Sequence, residues 1–436
     1  MKSHLPTIGM VFGLAWNVAA AEPWTLAQAI GHALTNSPDA RLAVQRIAAA
    51  QAGLSQAKAA FSPQLQFQSS YTRTDNPMLV FGSILNHRSF NSSLNFNDVP
   101  DLDNANVKGL VTMPLYAGGR NVAGRDAAKA NTEATRQNAE AVRNTLAFEV
   151  ARAFHTVLKT REFIKATEAG VRGFETNLAV AQKRLNASTL LKSDVLDVEV
   201  RLAQAREDRA RARNANELAT RVLRNLLGIQ QGEFTVADSA PSVAVSDSTD
   251  FSHRAELAAS QHRQRAAEAE VRRATSGYKP RVSAFGSLDY DYGTRTGGDG
   301  RSYTGGMLLQ WNLWDGLLTK AKREEAKANL DATREEDRKI RLALDLELEQ
   351  ARIALREAHE RLAVTEKVVD QASESVDLIR SRFEQGMAIS TQLIDAETAL
   401  IAARVRRAEA ESDQRIAIAA VRKALGLPQT EPPSTK

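Results

Sequence analysis

The chain has 436 residues, 57 basic against 52 acidic, a net charge of +5 and no cysteine. The missing cysteine excludes disulfides, thiolate metal sites, a cysteine nucleophile and a lipid carried on an N-terminal cysteine. With 43% hydrophobic and 25% charged residues the composition is that of a folded protein, and the small, dispersed basic excess is a solvated surface rather than a nucleic-acid footprint.

Residues 1–21 begin with Lys2, continue through an apolar run from Ile8 to Trp16 and end in Ala19-Ala20-Ala21. This is the pattern of a secretory signal, and its apolar run is too short to span a bilayer. A buried first helix is the alternative. No later stretch offers eighteen consecutive apolar residues, so the mature chain is expected beyond the inner membrane and can enter a second membrane only as a closed barrel.

Next comes a helical stretch at about 25–60, then two strands at about 64–73 and 106–116. In the second strand Val107, Gly109, Val111, Met113 and Leu115 form an alternating set; Leu65, Phe67 and Tyr71 mark the first more weakly. A proline-free interval from Pro114 to Pro241 follows, which predicts a long helix over 119–186 and a returning one over 190–227, stopped by Gly228. Residues 229–250 join the halves. A helix at about 251–277 then leads to strands at about 281–293 and 302–314, and Pro280 to Pro428 is the second proline-free interval. It predicts helices over 317–384 and 388–425, a stop at Gly426 and a tail over 427–436. All six tyrosines lie in two windows, 61–116 and 278–314, that contain the strands. Tyr71, Tyr116, Tyr290, Tyr292, Tyr303, Trp311 and Trp314 are the expected aromatic girdle of outer-membrane strands. Gly305-Gly306 lies inside an alternating strand, where it reads as close packing rather than a phosphate cradle.

The halves repeat. Leu115-Tyr116-Ala117-Gly118 aligns with Leu313-Trp314-Asp315-Gly316, Asp197 with Asp395 and Leu227-Gly228 with Leu425-Gly426, each 198 residues apart. The long helices share an apolar seam in steps of four and three, from Leu344 to Phe383 and from Leu146 to Leu185. That period belongs to a left-handed coiled coil, here read as the trimer contact. At 1.5 Å per residue each helix is about 100 Å long, more than one globular core can bury.

Signal, strand pairs, rods, duplication and Leu-Gly stops together resemble the TolC family of outer-membrane efflux proteins. The most specific pieces are Arg184-Leu185, Thr189-Leu190 and Asp194-Val195-Leu196 at one rod end, and Arg382-Phe383, Gly386 and Asp395-Ala396 at the other. The resemblance implies a mainly α chain with a transmembrane β-barrel: a long coiled-coil barrel plus four strands per chain, closing as a twelve-stranded homotrimer in outer-membrane lipid. Strand arithmetic agrees, since four strands cannot close a barrel and three chains supply twelve. It further implies an exit duct for a tripartite efflux or type I secretion system, joined through a periplasmic adaptor to a resistance-nodulation-division or ATP-driven inner-membrane pump.

By the same resemblance the periplasmic gate comprises Asp194, Gln392, Asp395 and Phe383. The adaptor-docking tips comprise Ser188, Thr189, Leu190, Leu191, Gly386, Met387, Ala388 and Ile389, unless these side chains only pack the two tips together. The chain departs from the family at Gln392, where an aspartate is common, and at Ser188, where the turn glycine is missing. Residues 73–106 and 293–302 are the expected extracellular loops. No cofactor, metal or nucleic-acid partner is expected, and no enzyme: the seven histidines lack ligand spacing and read as solvated helix positions, and acidic pairs such as Glu347 and Glu349 read as rod surface charge. A periplasmic coiled-coil scaffold or adaptor without a pore is the alternative.

Overall fold

A computed structural model describes residues 23–93, 95, 97–230, 234–238 and 248–430. The expected signal (1–21), most of the segment joining the halves and the end of the tail lie outside the described residues.

Helix α1 (Leu26–Asn36) and helix α2 (Pro38–Ala59) occupy the stretch expected as one. Pro38 divides them: it starts α2 at a position whose N–H needs no partner, while Ser37 before it takes an extended ψ of 139°. Strand β1 (Gln64–Thr74), helix α3 (Pro77–Asn86) and strand β2 (Leu102–Tyr116) follow. The rods are α4 (Arg120–Asn186) with the returning α5 (Lys192–Leu227), and α7 (Leu318–Glu384) with α8 (Ser390–Ala424). Between them lie α6 (Ala255–Thr275), a 3-10 turn, β3 (Arg281–Tyr292) and β4 (Asp299–Gln310). Both rods have 67 residues, about 100 Å of helix.

Most seam residues of α4 are buried within the chain, and those of α7 are divided between buried and half-buried, which corrects the assignment of the whole seam to a trimer contact. Val171 and Phe174 of α4 pack on Val198, Leu202 and Ala205 of α5 and on Ile394 of α8. Leu348 and Ala351 of α7 pack on Val421, Ala424 and Leu425. An apolar seam costs least when covered by the neighbour already tethered to it, and the return turns supply that neighbour. A second row of α7, including Leu342, Leu346, Ile353 and Val364, remains exposed. Helix α2 lies along α4, and α6 lies along α4 and α7, so short helices extend the layer where the returning helices stop. Around mid-rod, Leu26, Ile30 and Ala33 of α1 pack against Val150, Phe154 and Val157 of α4 and Leu223 and Leu227 of α5.

The four strands form one antiparallel sheet in sequence order, with β1 and β4 at its free edges. Register sorts the side chains into two faces. Phe67, Gly109, Leu288 and Tyr303 fall on one rung, and Val107 pairs with Tyr290, so Leu65, Tyr71, Met113 and Met307 share an apolar face. The opposite face carries Gln66, Asn104, Asn106, Lys108, Asp289, Asp291 and Thr304. A bulge between Pro114 and Tyr116 sets Tyr116 opposite Val282, so the expected alternation through Leu115 breaks there. Phe285 lies over Gly306, its ring 3.2 Å from where a Cβ would stand, which accounts for the glycine.

Three strand boundaries move. β2 begins at Leu102 rather than 106, because residues 102–105 pair fully with Tyr71–Thr74. β4 begins at Asp299, leaving a short turn between β3 and β4 in place of the expected 293–302 loop. It also ends at Gln310, so Trp311 and Trp314 lie beyond the strand, where Trp311 Nε1 donates to the Tyr278 carbonyl at 3.1 Å. The expected 73–106 loop contains α3, started by the Asn76 side chain, which accepts from the Met78 and Leu79 N–H groups.

Candidate functional site

The rod ends farthest from the sheet present two turns of the same construction. In the first, Ala187, Ser188 and Thr189 donate N–H groups back to Lys183, Leu185 and Arg184 carbonyls at 2.9–3.0 Å. In the second, Gln385, Gly386 and Met387 do so to Ser381, Phe383 and Arg382. This closure needs one residue with positive φ. Gly386 supplies it at 79°, and Ser188, although not glycine, takes 58°. The serine thus carries backbone strain that the second turn avoids, of the order of 1 kcal/mol.

The returning helices also start alike. Asp194 Oδ2 accepts from the Leu191 N–H and Gln392 Oε1 from the Ile389 N–H, both at 3.3 Å. Asp194 and Gln392 are therefore equivalent positions, and a neutral acceptor does the same capping work as an acidic one. Asp194 Oδ1 also accepts from Ser390 Oγ at 3.0 Å, tying the first turn to the second. Arg184 makes the other tie. It donates to the Phe383 carbonyl at 2.9 Å and the Thr189 carbonyl at 3.2 Å, with its guanidinium 4.9 Å from the centre of the Phe383 ring.

Beneath these ties lies a small core of Ala181, Val195, Phe383, Ala388 and Leu393, with Leu190 packed at its margin. Leu191, Met387 and Ile389 point outward, 62–70% exposed. The tips are thus rigidly joined yet apolar on the outside, an arrangement suited to a partner surface.

With the sheet, rods and tips defined, comparison with known proteins becomes informative. The family model described as outer membrane efflux protein matches residues 29–229 and 251–427. The chain belongs to the outer membrane efflux protein family. Among solved structures, it superimposes on the Campylobacter jejuni CmeC outer membrane channel with a TM-score of 0.79 at 14% identity, covering 99% of this chain and 96% of that one. For the open state of the Neisseria gonorrhoeae MtrE outer membrane channel the TM-score is 0.76 at 17% identity, over 93% and 89% of the chains. For the outer membrane protein VceC of Vibrio cholerae it is 0.76 at 18%, over 93% and 97%. No curated protein matches by sequence. The TolC-like fold expected from the sequence is the fold found. The family is one of channels rather than enzymes, and among the described residues no helix is long and apolar enough to cross a membrane.

Within this efflux-protein fold the expected site residues separate. Of the gate set, Asp395 and Gln392 are exposed and Asp194 is half-buried in its capping role. Phe383, only 1% exposed, packs in the core of the tip. Of the tip set, Ser188, Thr189, Leu191, Gly386, Met387 and Ile389 are exposed, whereas Ala388 is 8% exposed and Leu190 is half-buried. Leu190 and Ala388 are the same position of the two repeats, and both turn toward the tip core rather than outward.

Other buried polar groups were not legible as such. Glu397, 3% exposed, accepts from Arg380 Nη2 at 2.5 Å and Asn177 Nδ2 at 3.2 Å, with Gly173 leaving room beside it. Its repeat mate Glu199 is exposed, so only the Gly170/Gly173 spacing in α4 signals the crossing. Arg254, 4% exposed, pairs with Glu256 and Glu347 and donates to the Lys423 and Ala424 carbonyls at the end of α8. Glu347 is consequently a bridging partner rather than free surface charge. Two histidines also correct the reading as solvated positions. His87, 1% exposed, is hydrogen-bonded to Asn104 and Thr296, and His155 is 6% exposed with burial, and then the charge of Arg415, bringing its pKa down to about 4. Both follow apolar stretches, Val80 to Leu85 before His87 and Ala153-Phe154 before His155, with Val157-Leu158 after it.

Proposed function

We propose that this chain is the exit duct of an export system that spans the periplasm. Three copies close a twelve-stranded barrel in the outer membrane, the rods form a tunnel beneath it, and the tips dock a periplasmic adaptor that links them to an inner-membrane pump. One observation carries the reading most: a single four-stranded sheet with one apolar face, one polar face and two free edges, set on a long helical body. An apolar face needs lipid, a polar face needs water, and free edges are costly in lipid until paired, so the sheet is satisfied only inside a closed ring. Val282 and Tyr292 are ten residues apart on the apolar face, about 34 Å along the strand. With the usual barrel tilt this gives roughly the 25 Å apolar band of outer-membrane barrels.

The division of labour follows the repeat. Residues 22–228 and 251–426 each contribute a strand pair and a rod. The strand pairs supply the girdle, with Tyr71, Tyr290 and Tyr292 at the loop end and Tyr116, Trp311 and Trp314 at the helix end. Tyr303 stands inside the band, opposite Leu288. The narrowest point lies near the tips, where Asp395 would repeat threefold and favour cations.

The deciding experiment is purification of the mature chain in detergent, with mass measurement and planar-bilayer recording. A trimer that conducts, and whose conductance rises and divalent block weakens in Asp395→Asn, supports the reading. A stable monomer that needs no detergent would instead establish a scaffold without a pore. In cells, an epitope tag after Asn91 should be reachable from outside. Gly298 is a poor insertion point, because a Cβ there would lie 2.5 Å from the His87 carbonyl.

A further inference from the structure

Helix α3 sits on the polar face of the sheet, at the end where strands turn. Its buried side chains, Val80 and Ile84, pack on Leu102, which shares that face with Asn104 and Asn106. The residues after it are clamped there. His87 Nε2 lies 3.0 Å from Asn104 Oδ1, and its Nδ1 lies 3.0 Å from Thr296 Oγ1. Asn104 and Asn106 in turn donate to Asp291 Oδ1 at 2.7 and 3.0 Å. The β3–β4 turn and the start of β4 are shaped to receive this end: a Cβ on Gly300 of β4 would lie 1.8 Å from the Asn86 carbonyl, and one on Gly293 of the turn would lie 2.4 Å from the His87 ring. So the first loop is not a free tether. It is a helix bolted over the water side of the sheet by groups from three strands and the second loop.

What α3 shows on its other side does not suit water. Helical geometry sets Met78, Gly82 and Leu85 opposite Val80 and Ile84. Met78 is 77% and Leu85 47% exposed. Lipid cannot cover them, because lipid belongs to the face with Phe67 and Tyr303, on the far side of the sheet. We infer that α3 forms an apolar collar at the outward mouth of the duct, and that its partners are the α3 helices of the other two copies. Gly82 between the two apolar side chains lets them approach closely. A ring of methionine and leucine across a water-filled pore impedes ions by dewetting, without any charged filter. The duct would then have a second constriction, chemically unlike the acidic one near the tips. This inference rests on the trimeric barrel proposed above.

The chain has no cysteine, so one introduced thiol reports alone. Met78→Cys on the collar is compared with Phe67→Cys on the apolar face, each as the purified full chain. Oxidation of Met78→Cys trimers should yield a cross-linked pair of chains on a denaturing gel, and Phe67→Cys should not. In planar bilayers, a water-soluble thiol reagent added on the loop side should cut the conductance of Met78→Cys and leave Phe67→Cys unchanged. Independently, Met78→Ser/Leu85→Ser, which leaves Val80 and Ile84 in place, should conduct more than the parent. A trimer in which position 78 reacts with no loss of conductance, or reacts only with lipid-soluble reagents, overturns the collar alone. Absence of a conducting trimer overturns the collar together with the reading beneath it.

Discussion

Arg184 is the side chain on which the joined tips depend most. It satisfies two carbonyls from different turns while covering the Phe383 ring, and Arg382, its repeat mate, is exposed. Arg184→Ala should destabilise the tip by about 1–3 kcal/mol, from the lost charge-assisted hydrogen bonds and ring contact. Amide hydrogen exchange over residues 383–390 should accelerate while exchange at mid-rod does not change. His155 is the residue whose ionisation couples most directly to folding. It is buried neutral among Glu411, Ser412 and Arg415, with a native pKa of about 4 against 6.5 when exposed. The unfolded chain therefore binds the extra proton first, and stability falls as pH drops from about 6.5 to about 4, by about 3 kcal/mol per chain at the lower end. Thermal melts of the parent should show this slope, and His155→Leu should flatten it.

At the scale of elements, the crossing of α4 and α8 is set by glycines in a helix that otherwise disfavours them. A Cβ on Gly170 would stand 2.3 Å from Ile401 Cδ1, and one on Gly173 would stand 2.8 Å from Glu397 Oε2. Gly173→Val should push the carboxylate away from Arg380 and Asn177 and cost several kcal/mol, as breaking a buried ion pair does. Gly170→Ala should cost less, and Ile401→Ala should partly rescue it in the double variant. Both are readable from denaturant midpoints. This scale is also where sequence reasoning was most effective. Proline-free intervals delimited the rods because a proline ring cannot sit inside a helix, and alternation of Val107 through Met113 located β2 because its two faces meet different solvents. Helix α3 escaped notice, since ten residues between turns leave too little periodicity to separate a helix from a polar loop. Phe383 and Ala388 escaped for another reason. A tip residue and a core residue can be adjacent in sequence, and only the backbone path decides which way each points.

For the whole molecule, the covered seam changes what a mutation tests. Val171→Glu would place a charge among Phe174, Val198 and Leu202 and should unfold the rod of an isolated chain. Leu346→Glu lies on the exposed row of α7 and should leave the chain folded while weakening assembly of the proposed trimer. Circular dichroism with size measurement in detergent separates the two outcomes, and identical behaviour of both variants would contradict the packing described.

The free edges of the sheet carry a consequence for how such a ring comes into being. One chain exposes the β1 edge and the β4 edge. Two chains joined head to tail make one pairing and still expose one edge of each kind. In the proposed trimer the third chain pairs with both remaining edges at once. Closure thus makes two edge pairings where the first joining makes one, so for the proposed trimer the population should divide between single chains and finished rings with few intermediates. Such an assembly has a threshold: below a certain density of chains at the membrane surface almost nothing forms, and above it rings appear steeply.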